Sequence, residues 1–294
     1  MGVRRLICGN LICANWIVCG ILWIAPWPAI AHAETSTPAQ LVREVVYNEL
    51  HDHDHHGYWR YWIRQDSRQG ARLAEQVETA DGPIKRVISS GGRVLGAAQQ
   101  QEEADRLNRL LSSPQEQARH RHEYAEDENR IGRILALLPD AFLFESLGEE
   151  NGCTHLRFRP NPDYPARTIE ARIFHAMSGE IWIDARFKRL SRLDGQLIEN
   201  VDFGYGLLGR LYKGGWVRLQ RTQVSETDWK TERLELHLSG RALLLKTIDR
   251  ETSEVRGGFT PVPAGLSLAQ GMRLLTPMPT ATASVSPVSF PGQN

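Results

Sequence analysis

Apolar residues recur at every second position in several short segments of the second half of the chain. They alternate with polar residues in Leu156 and Phe158, in Ile181 and Ile183, in Val217 and Leu219, and in Leu234, Leu236 and Leu238. Turns with glycine lie between these segments, at Ser178-Gly179, Asp194-Gly195, Lys213-Gly214-Gly215 and Ser239-Gly240. This alternation is typical of strands with one buried face, and short strands joined by frequent turns favour an antiparallel sheet over βαβ units.

The first half of the chain adds a helix and further strands. Thr37-Pro38, followed by apolar residues at helical spacing, predicts an N-terminal helix. The aromatic-rich run from Tyr58 to Arg64 predicts a strand, and two more strands are predicted at 72–79 and 84–89. Asp81-Gly82, between the last two, is typical of a hairpin turn.

A polar segment rich in Gln and Glu interrupts the strands between Ala97 and Leu138. Leucines at helical spacing predict a helical insertion, which restarts at Ser113-Pro114 and ends at Pro139. Beyond Phe259 the chain is rich in Pro, Ser, Thr and Ala. Such a composition buries too little apolar surface to offset the entropy of ordering, so residues 261–294 are predicted to form a disordered tail.

The first 33 residues have the features of a signal peptide. Arg4 and Arg5 precede a long apolar stretch, and Ala31-His32-Ala33 places small residues where a signal peptidase reads them. A retained anchor is the alternative, since about 20 apolar residues span a bilayer, but the prolines near the end of the stretch favour cleavage. We therefore predict a periplasmic or secreted protein cut after Ala33, with residues 34–260 as one domain and no membrane span after cleavage.

Removal of this segment changes the cysteine content and the charge. Three of the four cysteines leave with it, so Cys153 remains alone and the domain must be stable without an internal disulfide. Loss of Arg4 and Arg5 leaves 33 basic against 35 acidic side chains. This balance gives no footprint for nucleic acid, so no nucleic-acid partner is expected, and the protein is predicted to be a monomer.

The sequence carries no recognisable catalytic motif. G-x-S-x-G, S-x-x-K and the phosphate-binding loop are all missing from it. Gly204, Gly206 and Gly209 match G-x-G-x-x-G, but the residues that follow are too few and too glycine-rich for the helix of a dinucleotide site. Cys153, next to a predicted turn, is interpreted as a half-buried small residue rather than a nucleophile. We therefore predict no enzyme activity, no catalytic residues and no cofactor.

A run of histidines and aspartates, H-D-H-D-H-H, joins the predicted N-terminal helix to the first strand. Imidazole and carboxylate groups are good ligands for zinc, copper or nickel. One short run rarely completes a four-ligand site by itself, so a polar junction that binds metal only opportunistically is the alternative. The candidate metal ligands are His51, His53, His55 and His56.

The large aromatic side chains allow two interpretations. They can fill the core between the sheet and the helices, as in any β domain. Alternatively, a curved sheet with too few helices to cover it leaves an apolar hollow, as in ligand-binding barrels. On this second interpretation, the residues predicted to line the hollow are Trp59, Tyr61, Ile63, Phe142, Phe158, Trp182, Phe203 and Trp216.

The stretch from 169 to 248 carries a resemblance to known exported proteins. It contains F-H-A-M-S-G-E-I-W-I-D at 174–184, R-L-S-R-L-D-G at 189–195 and L-S-G-R-A at 238–242. The stretch is similar to an uncharacterised family of exported bacterial proteins, and its G-x-[IL]-W-[IV]-D and R-[IL]-x-R patterns resemble the strand pair of LolA-type lipoprotein carriers and related periplasmic sensor domains. The resemblance implies a half-barrel, in which a curved sheet surrounds helices and an apolar concavity holds acyl chains or a lipoprotein anchor.

The predicted fold class is α+β, mainly antiparallel β, with the N-terminal helix and the helical insertion packed on a curved half-barrel sheet. The leading hypothesis is a non-enzymatic periplasmic protein that binds an apolar ligand or lipidated partner, a lipid or lipoprotein, on the concave face of that sheet. A second hypothesis is an envelope interaction or sensor protein that uses the insertion at 97–138. A third is a metal-binding protein that uses the histidines between 51 and 56.

Overall fold

The computed structural model describes residues 37–51, 57–203, 208–242 and 246–275, which fold as one α+β unit. The helices are α1 (Pro38–Leu50), α2 (Ala97–Ser112), α3 (Pro114–Ala141), α4 (Ile169–His175) and α5 (Leu268–Leu274). The strands are β1 (Tyr58–Ser67), β2 (Gly70–Val77), β3 (Ile84–Ser90), β4 (Arg93–Val94), β5 (Phe142–Glu150), β6 (Cys153–Pro160), β7 (Met177–Asp184), β8 (Leu190–Leu197), β9 (Val201–Phe203), β10 (Gly209–Leu211), β11 (Trp216–Gln223), β12 (Trp229–Ala242) and β13 (Lys246–Val262).

All thirteen strands belong to one antiparallel sheet, which confirms the predicted fold class. Its order is β4-β3-β2-β1-β13-β12-β11-β8-β7-β6-β5, with β9 and β10 attached beside β12. Because β1 pairs with β13, the strand nearest the N-terminus lies in the middle of the sheet, beside the last one. Among the described strands β4 and β5 are the two ends of this path and do not pair with each other, so the curved sheet is open.

Helix α1 begins where the sequence predicts it. The hydroxyl of Thr37 accepts a hydrogen bond from the Gln40 backbone, and the Gln40 side chain accepts one from the Thr37 N–H, which together form a capping box. Four apolar residues of α1 pack on the sheet across β6 and β7. The buried members of this first core cluster are Leu41, Val42, Val45, Val46, Ala141, Phe142, Leu156, Phe158, Ile181 and Ile183.

The insertion forms two helices separated at Ser113, whose hydroxyl caps α3 by accepting from the Glu116 N–H at 3.2 Å. The predicted helix end at Pro139 is wrong, because α3 continues through this residue to Ala141. A proline in the last turn removes only one helical hydrogen bond. Burial of Ala141 (0% exposed) and of the following Phe142 (5%) in the first core cluster offsets that loss.

Helix α2 covers a free edge of the sheet. Strand β4 pairs with only the last two residues of β3 and leaves the rest of that edge unpaired. Glu103 of α2 accepts a hydrogen bond from the Val87 N–H at 2.8 Å, and Arg106 donates to the Lys85 carbonyl oxygen at 2.7 Å. An uncovered edge strand is a template for aggregation, so this pair of side chains protects β3.

The chain beyond residue 260 also differs from its prediction. Strand β13 continues to Val262, and α5 follows with a capping box between Ser267 and Gln270. Leu266, Leu268 and Leu275 are buried in a second core cluster with Val77, Ile84 and Leu107. Residues 261–294 as a whole are rich in Pro and Thr, so the prediction from composition overlooked these three leucines. Their buried apolar surface offsets the entropy of ordering this part of the chain. The predicted tail beyond residue 275 and the predicted signal peptide lie outside the described residues.

None of the helices in the described ranges is both long enough and apolar enough to cross a membrane. Helix α3, the longest of the helices that the structure describes at 28 residues, is rich in charged side chains over most of its length.

Candidate functional site

The strand register assigns side chains to the two faces of the sheet. Residues paired across antiparallel strands share a face. Ile181, Leu193, Leu219 and Leu234 are paired in sequence across β7, β8, β11 and β12 and therefore form one transverse row. Since Ile181 belongs to the same core cluster as the apolar residues of α1, we call this the inner face, and the opposite one the outer face.

The same row changes from apolar to polar as it crosses the sheet. Leu234 pairs with Glu254 on β13, Glu254 with Gln65 on β1, and Gln65 with Arg72 on β2. Neighbouring strands lie about 4.8 Å apart, so Leu234 and Arg72, three strands apart, are separated by about 14 Å. This row is therefore aliphatic from β7 to β12 and polar or charged from β13 to β2, with the boundary between β12 and β13.

Four aliphatic residues on the inner face of β11 and β12 form what we call the apolar strip: Val217, Leu219, Leu234 and Leu236. Leu219 pairs with Leu234 and Val217 with Leu236, and all four are only half-buried. Within the described residues none of them belongs to a buried core cluster. A contiguous apolar surface that the protein's own helices leave partly exposed is typical of a binding surface.

Five of the eight predicted hollow-lining residues lie on the inner face, on both sides of the apolar strip. Trp59, Tyr61 and Ile63 form a buried cluster on β1 with partly buried Val224 and Phe259. Phe142 and Phe158 belong to the first core cluster, with their rings 4.9 Å apart. The structure therefore divides these five residues between two packed clusters, and they do not meet in one cavity.

The other three predicted residues lie elsewhere. Trp182 is on the outer face, stacked on His155 at 4.3 Å, with the Arg192 guanidinium 4.4 Å from its ring centre. Trp216 is also on the outer face and stacks on His237. Phe203 packs against a third core cluster, formed by Ala176, Leu197, Val201 and Leu211. Trp182 and Trp216 consequently cannot line a hollow on the inner face.

The sequence contained the signal for the apolar strip. Val217 and Leu219 alternate with polar neighbours, as do Leu234 and Leu236. The same alternation places Trp182, between Ile181 and Ile183, on the face opposite the buried isoleucines. The prediction selected residues by aromatic size and did not consider whether their odd or even position along the strand places them on the inner face. It therefore missed the partly exposed aliphatic residues of the apolar strip.

A groove of about 490 Å³ lies beside the polar end of the transverse row, between α2 and strands β1 to β3. We call it the basic groove, because three of its charged side chains are arginines and two are glutamates. Its polar and charged lining residues are Gln65, Ser67, Gln69, Arg72, Ser90, Gln99, Glu102, Glu103, Arg106 and Arg109. Gln65 and Arg72 also belong to the transverse row, so the groove is continuous with the polar end of that row.

The charges of the groove are unequally paired. Arg106 binds Glu103 at 2.7 Å. Burial opposes ionisation of Glu103, but the hydrogen bonds from Arg106 and Val87 outweigh it and hold the pKa of Glu103 below its usual value. Within the described part of the chain, Arg72 and Arg109 take part in no ion pair. Partial burial lowers the pKa of nearby Lys85, and although Glu254 opposes this, the charges of Arg256, Arg72 and Arg106 add to it.

The predicted metal site falls mostly outside the described residues, which exclude His53, His55 and His56. His51 stacks on Tyr47 at 4.1 Å, and its Nδ1 donates to the Tyr47 carbonyl oxygen at 2.8 Å. Within the described ranges no three His, Cys, Asp or Glu side chains are grouped to hold a metal ion. A metal site at this junction stays a prediction.

The described residues also include part of the glycine motif and Cys153. Residues 208–242, all described, are strand and turn, so no helix follows the glycine motif that ends at Gly209. Burial raises the pKa of the Cys153 thiol, which leaves little reactive thiolate at neutral pH.

No family model matches the sequence, and no curated protein matches it. Several solved structures show similarity to this chain, including the following two. A DUF1329 family protein from Desulfovibrio piger is 10% identical, with 80% of this chain and 97% of that chain covered and a TM-score of 0.29. MucB in complex with MucA(peri) is 10% identical, with coverages of 74% and 98% and a TM-score of 0.20. At TM-scores this low neither likeness bears on function, and the resemblance to LolA-type carriers stays a prediction.

Proposed function

We propose that the protein is a non-enzymatic binding protein that holds an aliphatic chain, as found in a lipid or lipidated partner, against the apolar strip. The observation that supports this most strongly is the partial exposure of Val217, Leu219, Leu234 and Leu236 between two core clusters. Water against these side chains is released when a chain covers them, which favours binding. The polar end of the transverse row, at Glu254, Gln65 and Arg72, limits how far an apolar ligand can extend along this row.

The energetics suit a reversible carrier or sensor. Each buried methylene contributes about 0.8 kcal/mol, so complete transfer of a 16-carbon chain from water is worth roughly 12 kcal/mol. An open strip contacts only one side of such a chain and therefore recovers only part of this free energy. A protein that recovered all of it would release its ligand too slowly to deliver it.

A fluorescent fatty acid tests the proposal. We expect the purified mature chain to bind dansyl-undecanoic acid saturably, and native mass spectrometry after gentle purification to show adducts of lipid mass. Leu236 is already partly buried, so a ligand that covers its exposed part gains less than the value for complete burial. We expect Leu236→Asn to cost about 1 kcal/mol of binding free energy, which corresponds to a roughly fivefold weaker affinity. His237→Asn is the matched control, because this neighbour on β12 points to the outer face.

Equal affinities of Leu236→Asn and His237→Asn would contradict the proposed site, and absence of saturable binding by the unaltered chain would contradict the proposed function. Both variants are first compared in urea unfolding, to verify that they fold. If Leu236→Asn does not fold, Leu236→Ala replaces it, because alanine shortens the side chain without introducing a polar group into the strip.

We propose in addition that the protein acts after export. Arg4, Arg5, the apolar stretch and the A-H-A sequence at 31–33 support cleavage after Ala33. The first described helix has its N-cap at Thr37, downstream of this site, so cleavage leaves every described element intact. N-terminal sequencing of the protein from the periplasmic fraction of a Gram-negative host should begin at Glu34. Recovery only from membranes, with Met1 retained, would contradict this proposal.

A further inference from the structure

We infer that the ligand of the apolar strip is an amphiphile with a phosphate headgroup, and that this headgroup binds in the basic groove between Arg72 and Arg109. The inference rests on the proposed function and names its ligand class. It is carried by the position of a groove with two arginines that form no ion pair in the described chain. This groove lies at the polar end of the row that contains Leu219 and Leu234 of the strip.

The strip and the groove are parts of one surface. Both lie on the inner face, and the register connects them residue by residue from Leu234 through Glu254 and Gln65 to Arg72. A single molecule can therefore contact both, with its chain on β11 and β12 and its head about 14 Å away, at β2. The groove holds about 490 Å³, which is more than a lone carboxylate needs and is enough for a phosphate and its substituent.

The carboxylates at this end of the face are mostly neutralised. Glu254, at the boundary, binds Arg256 at 2.6 Å, and Glu103 binds Arg106. Among the carboxylates that line the groove, Glu102 forms no ion pair within the described residues. Its single negative charge stands against the two positive charges of Arg72 and Arg109, which likewise form none. The side chains left to interact with a ligand thus carry a net positive charge.

Guanidinium groups bind carboxylates and phosphates alike, but a phosphate has more oxygens than a carboxylate with which to accept from two guanidinium groups at once. Each guanidinium presents a planar fork of N–H donors that matches two oxygens of a phosphate, and hydrogen bonds between ionised partners are roughly twice as strong as neutral ones. Two such groups on opposite walls, Arg72 on the sheet and Arg109 on α2, can approach a phosphate from two sides. A cationic or neutral head would leave both arginines without a counter-charge.

Three amphiphiles with the same twelve-carbon chain test this inference: dodecyl phosphate, dodecyltrimethylammonium and dodecyl maltoside. Each is titrated into the mature chain by calorimetry, below its critical micelle concentration. We expect dodecyl phosphate to bind about tenfold more tightly than the other two. Arg72→Gln and Arg109→Gln should each remove most of this preference and leave the affinity for dodecyl maltoside unchanged. Arg218→Gln, on the outer face, is the control and should preserve it.

Several outcomes would overturn the inference while leaving the proposed function intact. These are equal affinities for the three amphiphiles, or a phosphate preference that survives both groove substitutions. Displacement of dodecyl phosphate by an equal concentration of inorganic phosphate would overturn both the inference and the proposed function, because it would mean that the chain adds no affinity. Failure of all three amphiphiles to bind would instead contradict the proposed function itself. Loss of binding to all three in Leu236→Asn, with the phosphate preference lost only in the arginine variants, would support both.

Discussion

The carboxylate of Glu49 joins helix α1 to the sheet from a buried position. Its Oε1 lies 2.5 Å from Nη1 of Arg221 and 3.3 Å from Nε of Arg189, and the three side chains are only 10%, 12% and 9% exposed. The Leu190 N–H donates to the same oxygen at 3.3 Å. Glu49→Gln keeps the size of the side chain and one oxygen acceptor but removes the charge, so two buried guanidinium groups then face an amide.

Two opposing effects determine the magnitude. Removing one partner of a buried ion pair costs about 3–5 kcal/mol, because the remaining charge is left uncompensated. Against this, Glu49 lies in the last turn of α1, where a negative charge is unfavourable and its removal returns up to about 1 kcal/mol. The first effect is larger, so we expect a net destabilisation of about 2–4 kcal/mol. For a domain of this size that lowers the melting temperature by about 4–16 °C.

Urea unfolding followed by tryptophan fluorescence measures this difference. The control is Asp140→Asn, which removes the exposed ion pair between Asp140 (64% exposed) and Arg43 (57%) and should change the free energy of unfolding by less than about 1 kcal/mol. If Glu49→Gln is within 0.5 kcal/mol of the unaltered chain, a threshold of about the scatter for surface substitutions, the argument that α1 is held by this buried charge is refuted.

Three further predictions concern the fold. Gly179→Ala should destabilise the domain by about 1–3 kcal/mol in urea unfolding, because the new Cβ would lie 2.0 Å from the Asp194 carbonyl oxygen. Gly132→Ala in α3 is the control: its Cβ would make only an ordinary van der Waals contact with Leu50, so this substitution should stabilise the domain by about 0.5–1 kcal/mol. Burial opposes ionisation of Asp228, but the hydrogen bonds to its carboxylate outweigh burial and lower its pKa. Asp228 therefore contributes stability above about pH 4, and this contribution is lost as the pH falls through the lowered pKa. Asp228→Asn should lack this part of the acid unfolding profile. Leu268→Ala should cost about 2–4 kcal/mol if α5 is part of the core, and a value near zero would mean that it is not.

The sequence predicted those local structures that the residues of a single segment determine by themselves. The capping residues Thr37 and Ser113 mark the starts of α1 and α3, and Asp81-Gly82 lies in the turn between β2 and β3. Alternation located the strands, because the period of two is fixed by backbone geometry. It also separated the two faces of each strand, although the choice of Trp182 and Trp216 did not use that information.

The candidate site could not be predicted from the sequence, because it depends on the register between strands. Alternation shows that Leu234 and Glu254 each have a definite face, but it does not show that they are neighbours, since a shift of one strand by two residues keeps every face and changes every pair. The position of β1 beside β13 is likewise a long-range pairing that no local pattern encodes. The change from aliphatic to charged along one row, and the groove beside it, therefore emerge only from the assembled sheet.

The helical insertion shows how local sequence and the assembled sheet together determine the candidate site. From composition it is a polar addition to a β domain, yet Leu107 of α2 is 1% exposed and Glu103 and Arg106 cover the open edge of β3. The same helix supplies Arg109 to the groove, so edge protection and the proposed headgroup site share one wall. Deleting 97–138 would therefore disturb folding and ligand binding together. The hypothesis that the insertion contacts a partner is separable only through its outer surface, such as Ile131, which is 52% exposed.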